Sequence, residues 1–161
     1  MRGGGDPYLV SEQLFALTKA LKDKGLKEIR GNIVVDDSLF IPSDPLDENE
    51  KLGYRSYHAP YSALSLNFNS VKVTVIPGTG VGKPARILLD PVSEYITAKG
   101  SVSTVKGKSP AQLTISKNSV AGDRERITVT GTIGEDAPIK SRYVNVAEPA
   151  LYTGEVLKEF L

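Results

Sequence analysis

The chain is 161 residues long, 40% apolar, with a formal net charge of +1 and no cysteine. That is enough apolar content for one or two compact units with a real core, while the absence of cysteine excludes disulfides and thiolate chemistry and argues against a structural zinc site. With no basic run and few aromatics the chain lacks the footprint of a nucleic-acid binder, and no apolar run nears the roughly 20 residues that span a bilayer.

Gly3-Gly4-Gly5-Asp6-Pro7 reads as a turn. Ser11 then offers an N-cap, Glu12 sits in the first turn, and Leu14, Leu17 and Leu21 recur at helical spacing until Gly25 supplies a stop. This predicts a helix over about 11–24. From Ile29 the period changes to two. Ile29, Gly31, Ile33 and Val35 form the more apolar face, expected to meet the core; Arg30, Asn32, Val34 and Asp36 form the other. Residues 41–56 are rich in Pro, Asp, Glu and Gly and read as a long surface loop.

From Val71 onward the pattern is strand-like. Val71, Val73 and Val75 alternate with Lys72 and Thr74, and Ile127 and Val129 alternate with Thr128 and Thr130. Shorter runs lie at 86–89, 102–105 and 113–115, and a last strand is expected within 139–146. Such alternation predicts antiparallel strands with one solvated face. Residues 148–161 read as a helix, with Pro149 at its first position and Tyr152, Val156 and Phe160 on one face. No Gly, Asn or Pro stops it, so the natural protein is expected to continue. The chain thus reads as α+β: a mixed antiparallel sheet with flanking helices (1–69 and 138–161) carrying a nested small all-β domain (70–137).

Four groups of residues invite a chemical reading. Ser103-Thr104-Val105-Lys106 is the sole Ser-x-x-Lys, the pattern that on a helix sets a lysine beside a nucleophilic hydroxyl. Here it falls in a β-branched, strand-like run, where residues three apart point to opposite faces, so no catalytic residue is assigned. Gly78-Thr79-Gly80-Val81-Gly82-Lys83 resembles a phosphate loop, but Pro77 and Pro84 occupy key positions and no helix follows. A hairpin connection is expected instead. His58, the only histidine, has no local nucleophile or acid to work with and cannot build a multi-histidine metal site. No metal or cofactor is expected. Asp36 and Asp37 end an apolar strand-like run. Acids there are commonly solvated or cap a turn; one of them facing a substrate amine is the functional alternative. The alternation assigns Asp37 to the core-side set and Asp36 to the other, which makes Asp36 the better candidate.

One long stretch carries a resemblance: Tyr57-His58-Ala59-Pro60-Tyr61-Ser62-Ala63-Leu64-Ser65-Leu66-Asn67-Phe68-Asn69. It is framed by Gly3 to Pro7, by Gly31-Asn32-Ile33-Val34-Val35-Asp36-Asp37-Ser38-Leu39-Phe40, and by a weaker echo at Glu148-Pro149-Ala150-Leu151-Tyr152. In this order and spacing they resemble the class C low-molecular-mass penicillin-binding proteins, which are periplasmic or cell-surface serine D-alanyl-D-alanine carboxypeptidases and endopeptidases. The resemblance implies non-catalytic inserted domains only, lying between the family's nucleophile motif and its later active-site motifs. Ser65 and Asn67 belong to the signature and are structural in that context.

The resemblance also implies an extracytoplasmic location, with the catalytic penicillin-binding domain elsewhere in the same parent chain. Asp36 matches an acidic residue implicated in recognising the free amine of the peptidoglycan stem peptide, and Phe40 a residue completing that pocket. Two rivals stand beside this reading. A stand-alone cell-wall binding or protein-interaction module is disfavoured by the uncapped last helix. A nucleotide-binding protein rests on the glycine loop alone.

Overall fold

The computed structural model describes residues 1–40 and 54–161; most of the expected 41–56 loop lies outside the described residues. Among the described residues two α-helices, α1 (Ser11–Asp23) and α2 (Pro149–Phe160), accompany six strands. The strands are β1 (Ser70–Ile76), β2 (Arg86–Asp90), β3 (Ile96–Val105), β4 (Gln112–Val120), β5 (Arg124–Gly134) and β6 (Lys140–Asn145). They form two three-stranded sheets, in the orders β2-β1-β6 and β3-β5-β4. The fold is α+β. Its contacts divide it into two compact units: one of Met1–Ser70, Pro91–Tyr95 and Asn145–Leu161, the other of Val71–Asp90 and Ile96–Val144.

The first unit holds both helices. Leu14, Leu64, Leu66, Val146, Tyr152 and Val156 are its buried centre, and the Tyr95 ring leans on Tyr152 at 5.9 Å between centroids. Two expectations for α1 need correction. Its N-cap is Val10, not Ser11, and the Val10 amide is satisfied by Gln13 Oε1 at 3.0 Å. Its buried face is Leu14 and Thr18, whereas Leu17 and Leu21 are exposed. Helical spacing is met by either stripe, and the neighbouring chain decides which one is covered. Gly25 ends the helix with a φ of +100° that other residues rarely adopt.

Ser11 has a different task. Its amide donates to Asn67 Oδ1 at 3.0 Å, and Asn67 Nδ2 donates back to Ser11 Oγ at 2.6 Å. Asn67, Phe68 and Asn69 all take left-handed φ values of 50°, 54° and 52°. Asn tolerates this region; Phe does not, and its strain is held by the bonds on either side. Asn69 Nδ2 donates to Pro60 O at 2.8 Å, and Ser65 Oγ to Ser62 O at 3.0 Å. The long signature is therefore a buckle that folds the chain back on itself.

The apolar run 29–35 does not form a strand. Among the described residues the only regular pairing at its end is an isolated parallel bridge between Arg2 and Asp36, with Gly3 N donating to Asp36 O and Asp36 N to Met1 O, both at 2.8 Å. Ile29 and Gly31 are exposed, Ile33 and Val35 half-buried. Alternation selects an extended backbone, but a strand also needs a partner ladder, and none stands beside 29–33 among the described residues.

The second unit is built from strands. Val71, Val73 and Val75 fill the inner face of β1, and Ile127, Val129 and Ile133 that of β5. β1 pairs antiparallel with β2, and β4 with β5, but β3 runs parallel to β5. The parallel pair corrects the expectation of antiparallel strands, because period two is the same for either direction. At the Ile96–Glu125 end of the sheet, Lys117 Nζ lies 2.6 Å from Glu125 Oε1, both nearly buried. Stripping one partner from such a pair leaves an uncompensated charge and costs roughly 3–5 kcal/mol.

The buckle gives a direct check. Asn67→Ala removes two hydrogen bonds of about 1 kcal/mol each and a left-handed residue's tolerance of about 1 kcal/mol, so urea unfolding should show a loss of about 2–4 kcal/mol. Asn118→Ala, exposed on β4, should change stability by less than about 0.5 kcal/mol. Equal effects of the two would remove the buckle's structural role.

Candidate functional site

Asp36 and Asp37 are adjacent in the chain and do opposite things. Asp37 turns inward. Its Oδ1 accepts from Ser62 Oγ and from the Leu64 amide, each at 2.9 Å. Asp36 turns outward. Its Oδ1 accepts from the Ser38 amide at 3.0 Å and from Ser38 Oγ at 2.6 Å, an Asx turn that fixes the carboxylate's direction. Among the described residues its Oδ2 meets only Arg2 Nε, at 3.5 Å, and both side chains are substantially open to solvent. These bonds, with the Arg2 and N-terminal charges, hold the Asp36 carboxyl below the ordinary carboxylate value, the Ser38 hydroxyl contributing most.

The strand-period reading separated these two carboxyls correctly, although no strand forms. An extended backbone alone is enough to turn successive side chains to opposite sides. Phe40, also half-exposed, lies at the N-terminal segment: a β-carbon added at Gly5 would sit 2.9 Å from its Cζ. Asp36 holds that same segment through Gly3, and Gly5 N donates to Ala63 O at 2.8 Å. Gly3 has to be glycine, because an added β-carbon would lie 2.4 Å from the Ala63 carbonyl. Asp36 and Phe40 thus bracket one braced segment, Gly3 to Gly5.

Sequence reading missed the partners of Asp36. Ser38 was within reach, since Asp-x-Ser is the spacing of an Asx turn. Arg2 left no local signal, because it arrives through a bridge between distant segments.

The other candidates fall away. Ser103 lies on β3 with Lys106 just beyond its end, so no helix brings the lysine beside the hydroxyl. The glycine loop joins β1 to β2 and is pinned to β3: Gly78 N donates to Thr104 Oγ1 at 2.8 Å and Gly82 N to Thr104 O at 2.9 Å. The Gly78, Gly82 and Lys83 amides are thus engaged by protein, and a strand follows. His58 packs edge-on against Tyr57, centroids 4.3 Å apart, and its Nδ1 is buried with no partner among the described residues. Among those residues no cluster of three or more His, Cys, Asp or Glu could hold a metal, and no helix is long and apolar enough to cross a membrane.

Comparison with known proteins places the chain in a family. The profile of the D-Ala-D-Ala carboxypeptidase 3 (S13) family matches residues 1–161, and the chain belongs to that family. This corrects the expectation of a resemblance to non-catalytic inserted domains only: the profile matched is that of the peptidase family itself, and it runs over the whole chain. A D-alanyl-D-alanine carboxypeptidase of an Actinomadura species is 29% identical over 167 residues, covering 99% of this chain and 30% of that enzyme.

Penicillin binding protein 4 of Haemophilus influenzae shares the fold, with a TM-score of 0.62 at 19% identity, over 99% of this chain and 35% of its own. The same protein complexed with a β-lactam gives a TM-score of 0.60 at 21% identity, over 99% and 32%. The chain spans about a third of the length of these relatives.

The depressed Asp36 carboxyl sets a pH dependence. Between the native value and the unfolded value near 3.8, the unfolded chain binds more protons, so stability rises with pH there. The contribution is complete above the unfolded value and is lost as pH falls through the native one. Asp36→Asn should therefore flatten the acid limb of a stability–pH curve measured by urea unfolding. An unchanged acid limb would show that the Ser38 contacts do not hold the charge.

Proposed function

We propose that the parent enzyme is a serine-type D-alanyl-D-alanine carboxypeptidase of the bacterial cell envelope, acting in peptidoglycan maturation, and that this stretch shapes its substrate cleft. The family membership supports the reaction class. In the parent the serine would take the penultimate D-alanine of a stem peptide as an acyl group, release the terminal D-alanine, and give the acyl group to water. The nucleophile comes from chain outside residues 1–161. The second unit is read as a small all-β domain nested in the first, near the expected 70–137.

The observation that carries the recognition role is the outward Asp36 carboxylate on its fixed turn. A carboxylate offers about four lone-pair sites, and Ser38 takes two of them through Oδ1. Oδ2 keeps room for an ammonium donor, because Arg2 stands at 3.5 Å on an exposed side chain. The lowered pKa keeps the group charged throughout the neutral range. Asp36 is the acceptor for the free amine of the stem-peptide side chain, and Phe40 supplies an apolar edge.

An ammonium–carboxylate contact in a partly dehydrated cleft is worth on the order of 1.5–3 kcal/mol. In the parent enzyme, Asp36→Asn should lower kcat/KM for a stem peptide with a free amine by roughly ten- to a hundredfold and leave the N-acetylated peptide almost unchanged. Asp37→Asn should show no such discrimination. An equal loss on both substrates with Asp36→Asn would end the amine reading.

The missing nucleophile is tested separately. The 161-residue chain should retain no labelled penicillin after denaturing electrophoresis. Label that is retained, and lost in Ser103→Ala, would relocate the chemistry to β3.

A further inference from the structure

A groove of about 540 Å³ lies between residues 26–35 and α2. Ile29, Ile33 and Val35 line one side, Leu151 and Leu161 the other. α2 approaches closely at Gly154, where an added β-carbon would lie 2.8 Å from Val35 Cγ1. The groove leaves apolar surface in water: Ile29 is 48% exposed and Leu151 39%. Burying such surface is worth about 25 cal/mol per Å², so an uncovered apolar groove is a site awaiting an occupant.

The backbone along the groove makes the same point independently. Residues 29–35 alternate at the period of a strand, yet 29–33 give no backbone hydrogen bond to any other described segment. The bonds begin only at Val34, which accepts from the Met1 amino group, and at Asp36. A segment with strand-period alternation, bent at Gly31 (φ +117°), whose 29–33 amides and carbonyls find no backbone partner among the described residues, lies beside an apolar groove and is a template for one more strand.

We propose that an extended segment of the parent enzyme's own chain, from outside residues 1–161, lies in this groove and pairs with 29–33 as a β-strand. Its alternate apolar side chains cover Ile33, Val35 and Leu151. The relatives leave ample chain to supply it, because this stretch accounts for only 30% of the Actinomadura enzyme and 35% of the Haemophilus protein. A segment of the same chain also arrives at high effective concentration, without the association cost that a separate partner would carry. Pairing would complete the strand that the alternation of 29–35 specifies.

Amide hydrogen exchange tests this on the full-length parent enzyme and on the 161-residue chain. Alternate amides between Ile29 and Ile33 should exchange roughly a hundredfold more slowly in the parent, and fast at every concentration in the 161-residue chain. Equally fast exchange in both would overturn the proposal. So would slow exchange in the shorter chain at low concentration, which means the segment pairs within it. Slow exchange that appears there only at high concentration would assign the groove to a second copy, and would equally overturn it.

Discussion

One carboxyl oxygen, Oδ1 of Asp37, joins the two segments on which the candidate site is built. By accepting from Ser62 Oγ and the Leu64 amide, it fastens 36–40 to 60–64. The N-terminal segment is then laid across both, through Gly3 to Asp36 and Gly5 to Ala63. Nothing in 36–40 is helix or strand, so its position depends on these few bonds. With Asp37 held inward, an extended backbone sends Asp36 outward, and Ser38 fixes its direction. The structural and the exposed carboxyl are thus one device: the first gives the second a rigid base.

The buckle at 67–69 supports the same region from behind. Its left-handed residues cost free energy, offset by the reciprocal bonds between Asn67 and Ser11 and by the Asn69 bond to Pro60. Through them the signature stretch ties α1 to the loop that receives Asp37. Ser62 and Asn67 recognise no substrate in this account; they make the chain return to the same place.

Both helices and most of the strands were legible because they rest on local periodicity and on glycine or proline stops. The parallel β3–β5 pair was not, since alternation carries no information about strand direction. The failed strand at 29–35 shows the same limit from the other side: pattern specifies conformation, but pairing requires a neighbour. At the site, the inward and outward carboxyls were legible from alternation. The family was legible from the signature stretch, although the resemblance was wrongly restricted to non-catalytic inserted domains. Arg2 was not legible, because its approach to Asp36 depends on a bridge between segments far apart in sequence.

The central claim is that Asp36 receives a substrate ammonium group. A crystal structure of the parent enzyme with a stem peptide bearing a free side-chain amine tests it most directly. The account predicts that amine within about 2.7–3.1 Å of an Asp36 carboxylate oxygen, with Ser38 still bound to Oδ1. An amine held by other residues, with Asp36 facing only Arg2 and Ser38, would contradict it.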